Sequence, residues 1–99
     1  MPKDLIVKDE DVSKVTKALS SETRWQILKL LKNEALSVSQ LAERIYNIRT
    51  SRPQTEANIS AQIKLMEGAG LIKTHYEPGE HGVKKVCRPA VDRIILVIG

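Results

Sequence analysis

Two helix starts lie close together in the middle of this chain, and each is specified by capping chemistry as well as hydrophobic pattern. In LSVSQLAERI (36–45), Ser37 can accept from the backbone of the first helical turn while Gln40 reaches back to the Ser37 amide. Leu36 can staple onto Leu41, so a short helix is predicted over about 38–46. Further on, TEANISAQIKLMEGAGL (55–71) opens on Thr55 as a cap. It closes at Gly70, which can take the left-handed conformation that stops a helix, with Leu71 folding back. This predicts a second helix over about 55–69. Between the two, NIRTSRPQ (47–54) holds Pro53 and two arginines and reads as a loop.

The flanks supply what these helices pack against. LIV (5–7) reads as a short strand, and DEDVSKVTKAL as a helix with Val12, Val15 and Leu19 on one side and acids in its first turn. Ser21 can cap a third helix, about 22–32, carrying Ile27, Leu28, Leu30 and Leu31. Downstream, LIKTHY and VKKVCR flank the Pro- and Gly-rich EPGEHG, which predicts a β-hairpin over about 71–88. VDRIILVIG then gives a β-branched strand over about 91–98. The expected fold is α+β and mainly helical: a helix-turn-helix with a β-hairpin wing and short terminal strands, forming one domain over 1–99.

The later of the two middle helices has an unusual outer face. Ile59, Ile63 and Met66 recur at helical spacing and face inward. The other side offers Gln54, Thr55, Ala57, Asn58, Ser60, Ala61, Gln62 and Lys64, which are small or able to hydrogen-bond. The DNA major groove admits one α-helix whose side chains must reach base edges, and bulk at Ala57 or Ala61 would hold the backbone away. The amides of Gln54, Asn58 and Gln62 suit bidentate pairing with adenine, and alanine suits a thymine methyl. This helix is the expected reader, and the one before it positions it.

Phosphate contacts are expected from Ser37 and Ser39 at the positioning helix, from Arg49 and Arg52 in the loop, and from His81, Lys84 and Lys85 on the wing, with Arg88 behind them. A net charge of +4 and a pI near 9.4 agree with a polyanionic partner. Nothing in the chain makes a nucleophile–base pair, a glycine-rich phosphate loop or a carboxylate cluster, so no enzyme is expected. His75, His81 and Cys87 with Glu77 and Glu80 are strung along one ribbon and do not converge, so neither a metal nor another cofactor is expected. Cys87 reads as a small apolar strand residue and Trp25 as a core or interface residue. The N-terminus lacks the pattern of a signal peptide and IILVI (94–98) is too short to span a bilayer, so a cytoplasmic protein is expected.

ALSSETRWQILKLLKNEALSVSQLAERI followed by NISAQIKLMEGAGLI resembles the ArsR/SmtB group of winged-helix repressors. The resemblance rests on Leu19, Arg24, Ile27, Leu28, Leu31, Leu41 and Ala42, then Ile59, Ser60, Ile63, Met66, Ala69, Gly70 and Leu71, and spans roughly 15–88. It implies a transcription regulator that binds operator DNA as a dimer. Three departures qualify it. The positioning helix lacks the cysteines of metal-sensing members, the loop 47–54 exceeds the usual tight turn, and a strand stands where a C-terminal dimerisation helix is familiar.

That strand, with Ile94, Ile95, Leu96, Val97 and Ile98 in succession, is apolar on both faces and needs cover. The expectation is that it pairs with Leu5, Ile6 and Val7, within or between subunits, and that this layer with Val12, Val15 and Leu19 forms a homodimer interface. The competing expectations are a winged helix that binds protein, to which Leu65 beside Ala61 points, and a DNA binder without sequence preference.

Overall fold

The computed structural model describes residues 3–47 and 50–99. Its elements run β1 (Asp4–Val7), α1 (Glu10–Leu19), α2 (Glu22–Leu31), β2 (Leu36–Ser37), α3 (Val38–Arg44), β3 (Tyr46–Asn47), β4 (Arg52–Pro53), α4 (Glu56–Gly68), β5 (Ile72–Gly79), β6 (Gly82–Pro89) and β7 (Arg93–Leu96). The predicted elements appear in the predicted order, as a winged helix-turn-helix with terminal strands, and β2, β3 and β4 are additions to it. Boundaries move by a few residues, as at α3, where Ile45 is already extended.

The caps form as the sequence predicts. The Ser37 hydroxyl accepts from the Gln40 amide at 3.2 Å while Gln40 Oε1 accepts from the Ser37 amide at 2.9 Å. Thr55 Oγ1 accepts from the Asn58 amide at 3.1 Å. At the end of α4, Gly70 takes φ 80°, its N–H donates to Glu67 at 3.0 Å, and the Leu71 N–H donates to Met66 at 3.0 Å. Those two bonds satisfy carbonyls the helix leaves open and turn the chain into the wing.

The core is aliphatic. Ile27 and Leu31 of α2, Leu41 and Ile45 at α3, and Ile59, Ile63 and Met66 of α4 are all buried in one cluster with Leu71, just before β5, and with Leu36 and Cys87 of the wing sheet. The aromatic residues take no part in it: Trp25, Tyr46 and Tyr76 are all exposed. Trp25 therefore stands on the surface and not in the core. A groove of about 670 Å³ runs beside it, walled by Leu19, Leu28, Val91, Ile94 and Leu96.

Among the described residues three small sheets complete the fold. β5 and β6 form the wing hairpin around the two-residue turn Glu80–His81, so its strands are longer than EPGEHG suggests. β2 joins this hairpin through Leu36↔Cys87 and Ser37↔Val86, tying the positioning helix to the wing. β3 and β4 pair antiparallel, so the stretch that reads as a plain loop carries a minimal ribbon. Two-residue strands are too short to show periodicity, which is why the sequence reveals neither. Finally β1 and β7 pair in parallel within the chain, with Leu5↔Ile94 and Ile6↔Ile95 in register. Arg93 clamps this ribbon by donating twice to the Asp4 carboxylate, at 2.8 Å each, and holds that carboxyl below its ordinary range.

Candidate nucleic-acid interface

α3 packs against α4, and Leu41 and Ala42 of α3 share one buried cluster with Ile59 and Ile63 of α4, which fixes α4 from behind and leaves its far side outward. Thr55, Ala57, Ser60, Ala61 and Lys64 are exposed there, as the spacing predicts. Gln54, Asn58 and Gln62 behave differently. They are half-buried along one flank of the helix and bonded in series: Gln62 Nε2 donates to Asn58 Oδ1 at 3.2 Å, and Asn58 Nδ2 to Gln54 Oε1 at 2.5 Å. The series begins on another helix, where Arg24 Nη1 donates to Gln62 Oε1 at 2.6 Å. The same guanidinium donates to the carbonyls of Ala18 at 2.8 Å and Lys17 at 3.0 Å. Gln62 is thus committed to a contact inside the protein and does not stand free as a reader. Helical spacing cannot show this, because the partner is 38 positions away.

The residues expected at phosphates divide as well. Ser37 is 5% exposed and its hydroxyl accepts in the α3 cap, so little of it faces outward. The Ser39 hydroxyl is exposed and donates to Glu56, linking the start of α3 to the start of α4. Arg52 is exposed on β4, beside the entry to α4. Arg49 lies outside the described residues. His81 stands exposed at the wing tip and Lys84 near it. Lys85 points the other way, its ammonium 3.4 Å from Glu67 Oε1. Glu67 also accepts from Thr74 at 2.6 Å, and these two partners, Thr74 first, hold its carboxyl below the usual value. The wing is not uniformly basic: Glu77 faces Lys84 across the ribbon, Glu80 shares the tip, and His75 bonds Glu77 at 2.9 Å.

Among the described residues no group of three or more His, Cys, Asp or Glu side chains could hold a metal. Cys87 is fully buried, and burial pushes its thiol up to about 11. No helix among the described residues is long and apolar enough to cross a membrane.

The apolar surface lies elsewhere. On the β1/β7 ribbon Ile6 is 64% exposed and its register partner Ile95 39%. Leu96 and Ile98 are exposed beside them, while Leu5, Val12, Leu19, Ile94 and Val97 are half-buried. Val7 and Val15 are not available to an interface, because both are buried in the chain's own core.

A capped positioning helix, an outward helix with small residues and a three-stranded wing define a winged helix-turn-helix. Residues 19–75 match the model of a helix-turn-helix domain family, and the chain belongs to that family. A homodimeric winged helix-turn-helix DNA-binding domain from Mycobacterium bovis, a possible ArsR-family transcriptional regulator, shares the fold with a TM-score of 0.64 and 26% identity, over 82% of this chain and 65% of that one. An ArsR-like transcriptional regulator from a Rhodococcus species gives 0.59 and 26%, over 80% and 62%. HlyU from Vibrio cholerae gives 0.63 and 22%, over 81% and 75%. The chain therefore spans about two thirds of the length of the first two. No curated protein matches the sequence. The resemblance to ArsR-family winged helices is borne out by these neighbours.

Proposed function

We propose that this chain, as a single winged unit, is a transcription regulator that binds double-stranded DNA as a homodimer on a roughly palindromic operator. The observation that carries the reading is the outer face of α4: Ala57, Ser60, Ala61 and Lys64 are exposed on a helix capped at both ends and packed from behind. A solvated face is ordinarily lined with long charged side chains, whereas a groove-reading face must let the backbone approach the bases. Arg52, His81 and Lys84 flank it and supply contacts to phosphate, which position the helix without reading sequence.

For the dimer, the exposed Ile6 and Ile95 pair and the groove beside Trp25 offer apolar surface that a second copy can cover. The homodimeric relative from M. bovis supports a dimer. A twofold axis there would set two α4 helices about 34 Å apart, one turn of DNA. Regulation in the cytoplasm without a metal or other cofactor is part of the same proposal.

A second reading, a winged helix that binds protein, has one observation in its favour: Leu65 is 38% exposed on the flank of α4. A salt series on random duplex DNA separates the two. A DNA binder loses affinity steeply, on the order of 10³-fold between about 50 and 200 mM salt for a typical set of phosphate contacts. Absence of binding at the low end of that range favours the protein-binding reading.

A further inference from the structure

The relay from Arg24 through Gln62 and Asn58 to Gln54 has a direction. A guanidinium carries donors and no acceptor, so the atom of Gln62 that meets Arg24 Nη1 must be the carbonyl oxygen. That choice turns the Gln62 NH₂ toward Asn58, which must then present Oδ1. Asn58 in turn donates through its NH₂ to Gln54 Oε1. Each amide has two distinguishable ends, and a rotation of any one would oppose two donors or two acceptors. The cation at one end therefore orients every amide in the series. Gln62 and Asn58 are one helical turn apart on α4, and Gln54 lies just before its N-cap Thr55, so the row runs from the contact with α2 to the N-terminal entry of α4.

We infer that Arg24 sets the base preference at the entry to α4 by orienting Gln54: with Oε1 turned toward Asn58, Gln54 presents its NH₂ outward. This rests on the reading of α4 as the DNA-contacting helix. A major-groove edge with two acceptors suits a donor pair, and guanine O6 and N7 provide it; bidentate pairing with adenine needs the amide oxygen turned to the base as well, and here that oxygen is turned to Asn58. Gln54 thus reads guanine, which departs from the adenine pairing that amide composition alone suggests. Arg24 and Gln62 are positioning residues and Gln54 is the contact.

Gln62→Glu tests this with little change in shape. The carboxylate introduced at position 62 still accepts from Arg24 but cannot donate to Asn58. Asn58 must then turn its NH₂ to that carboxylate and its oxygen to Gln54, and Gln54 must donate inward and show its oxygen outward. The polarity of the outer end reverses. The experiment is in vitro selection from a random duplex pool with wild type, Gln62→Glu and Arg24→Lys, alongside side-chain amide NMR of the free proteins. Wild type should enrich guanine at one position of each half-site. Gln62→Glu should lose that preference by about tenfold or more and favour a base with an amino donor there, cytosine or adenine, with other positions unchanged. Arg24→Lys keeps a donor without an acceptor and should retain guanine. An unchanged preference in Gln62→Glu, with the wild-type amides of Gln62 and Asn58 showing the bonded pattern, overturns the inference alone. Failure of wild type to enrich any sequence, with the same bonded amides, overturns the DNA reading and the inference with it. Wild-type amides that exchange as free groups refute the relay itself.

Discussion

Lys84 and Lys85 adjoin in the sequence and face opposite sides of the wing: Lys85 reaches Glu67 on α4 at 3.4 Å, while Lys84 is exposed across from Glu77. The pleat of β6 forces this separation, because successive side chains of a strand point to opposite faces. Treating the two lysines as one basic patch, as their adjacency invites, would assign both to DNA. The geometry leaves only Lys84 facing outward, with Lys85 against Glu67.

Lys84→Ala should weaken DNA binding about equally across sequences and lower the salt slope by up to ~1. Lys85→Ala should leave the slope nearly unchanged and cost about 0–1 kcal/mol of stability, the worth of a partly exposed ion pair. Fluorescence anisotropy at several salt concentrations, with thermal unfolding beside it, checks both. Equal loss of slope from the two substitutions contradicts the division.

Ala57→Glu and Ala61→Glu each place bulk and negative charge on the outer face of α4 at exposed positions. Specific binding should fall below detection in gel shift while the melting temperature stays within a few degrees, since surface changes usually stay within about 0.5 kcal/mol. Wild-type affinity in either variant would remove α4 as the reader.

Ile6→Asp or Ile95→Asp should convert a dimer to monomers without unfolding them, as both side chains are exposed on the β1/β7 ribbon. Sedimentation reads the state directly. Val7→Asp should instead unfold the chain, because Val7 is 1% exposed in the core. A dimer that survives both isoleucine substitutions places the interface elsewhere.

Cys87 should resist alkylation in the folded protein and react on denaturation, since its thiol is buried and raised from an ordinary value of 9.0 to about 11. The folded state holds this proton more tightly than the unfolded chain does. Its contribution to stability is therefore full below pH 9.0 and declines as pH rises from there toward about 11. Urea unfolding at pH 8 and pH 10 should show a loss in wild type that Cys87→Ala reduces.

Much of this fold is legible because its signals are local. The Ser37–Gln40 box, Thr55, Gly70 with Leu71, and the Ile59, Ile63 and Met66 stripe each lie within a turn or two of the structure they specify. What the sequence conceals is long-range or very short. The contact of Arg24 with Gln62 crosses helices, and β2, β3 and β4 have two residues each, below any period. The burial of Val7 and Val15 is hidden for another reason: an apolar residue near a terminus can serve a core or an interface equally well, and only packing decides. The same ambiguity makes Ser37 a candidate for phosphate when its cap already consumes it.

The most direct test is a chemical-shift map of the uniformly labelled protein titrated with a duplex DNA at low salt. The largest changes should fall on Gln54, Ala57, Asn58, Ala61 and Lys64, with smaller ones at Arg52, His81 and Lys84, while Ile6, Trp25 and Ile95 stay still. Changes centred on Ile6, Trp25 and Ile95, or a spectrum that DNA leaves unaltered, would contradict this.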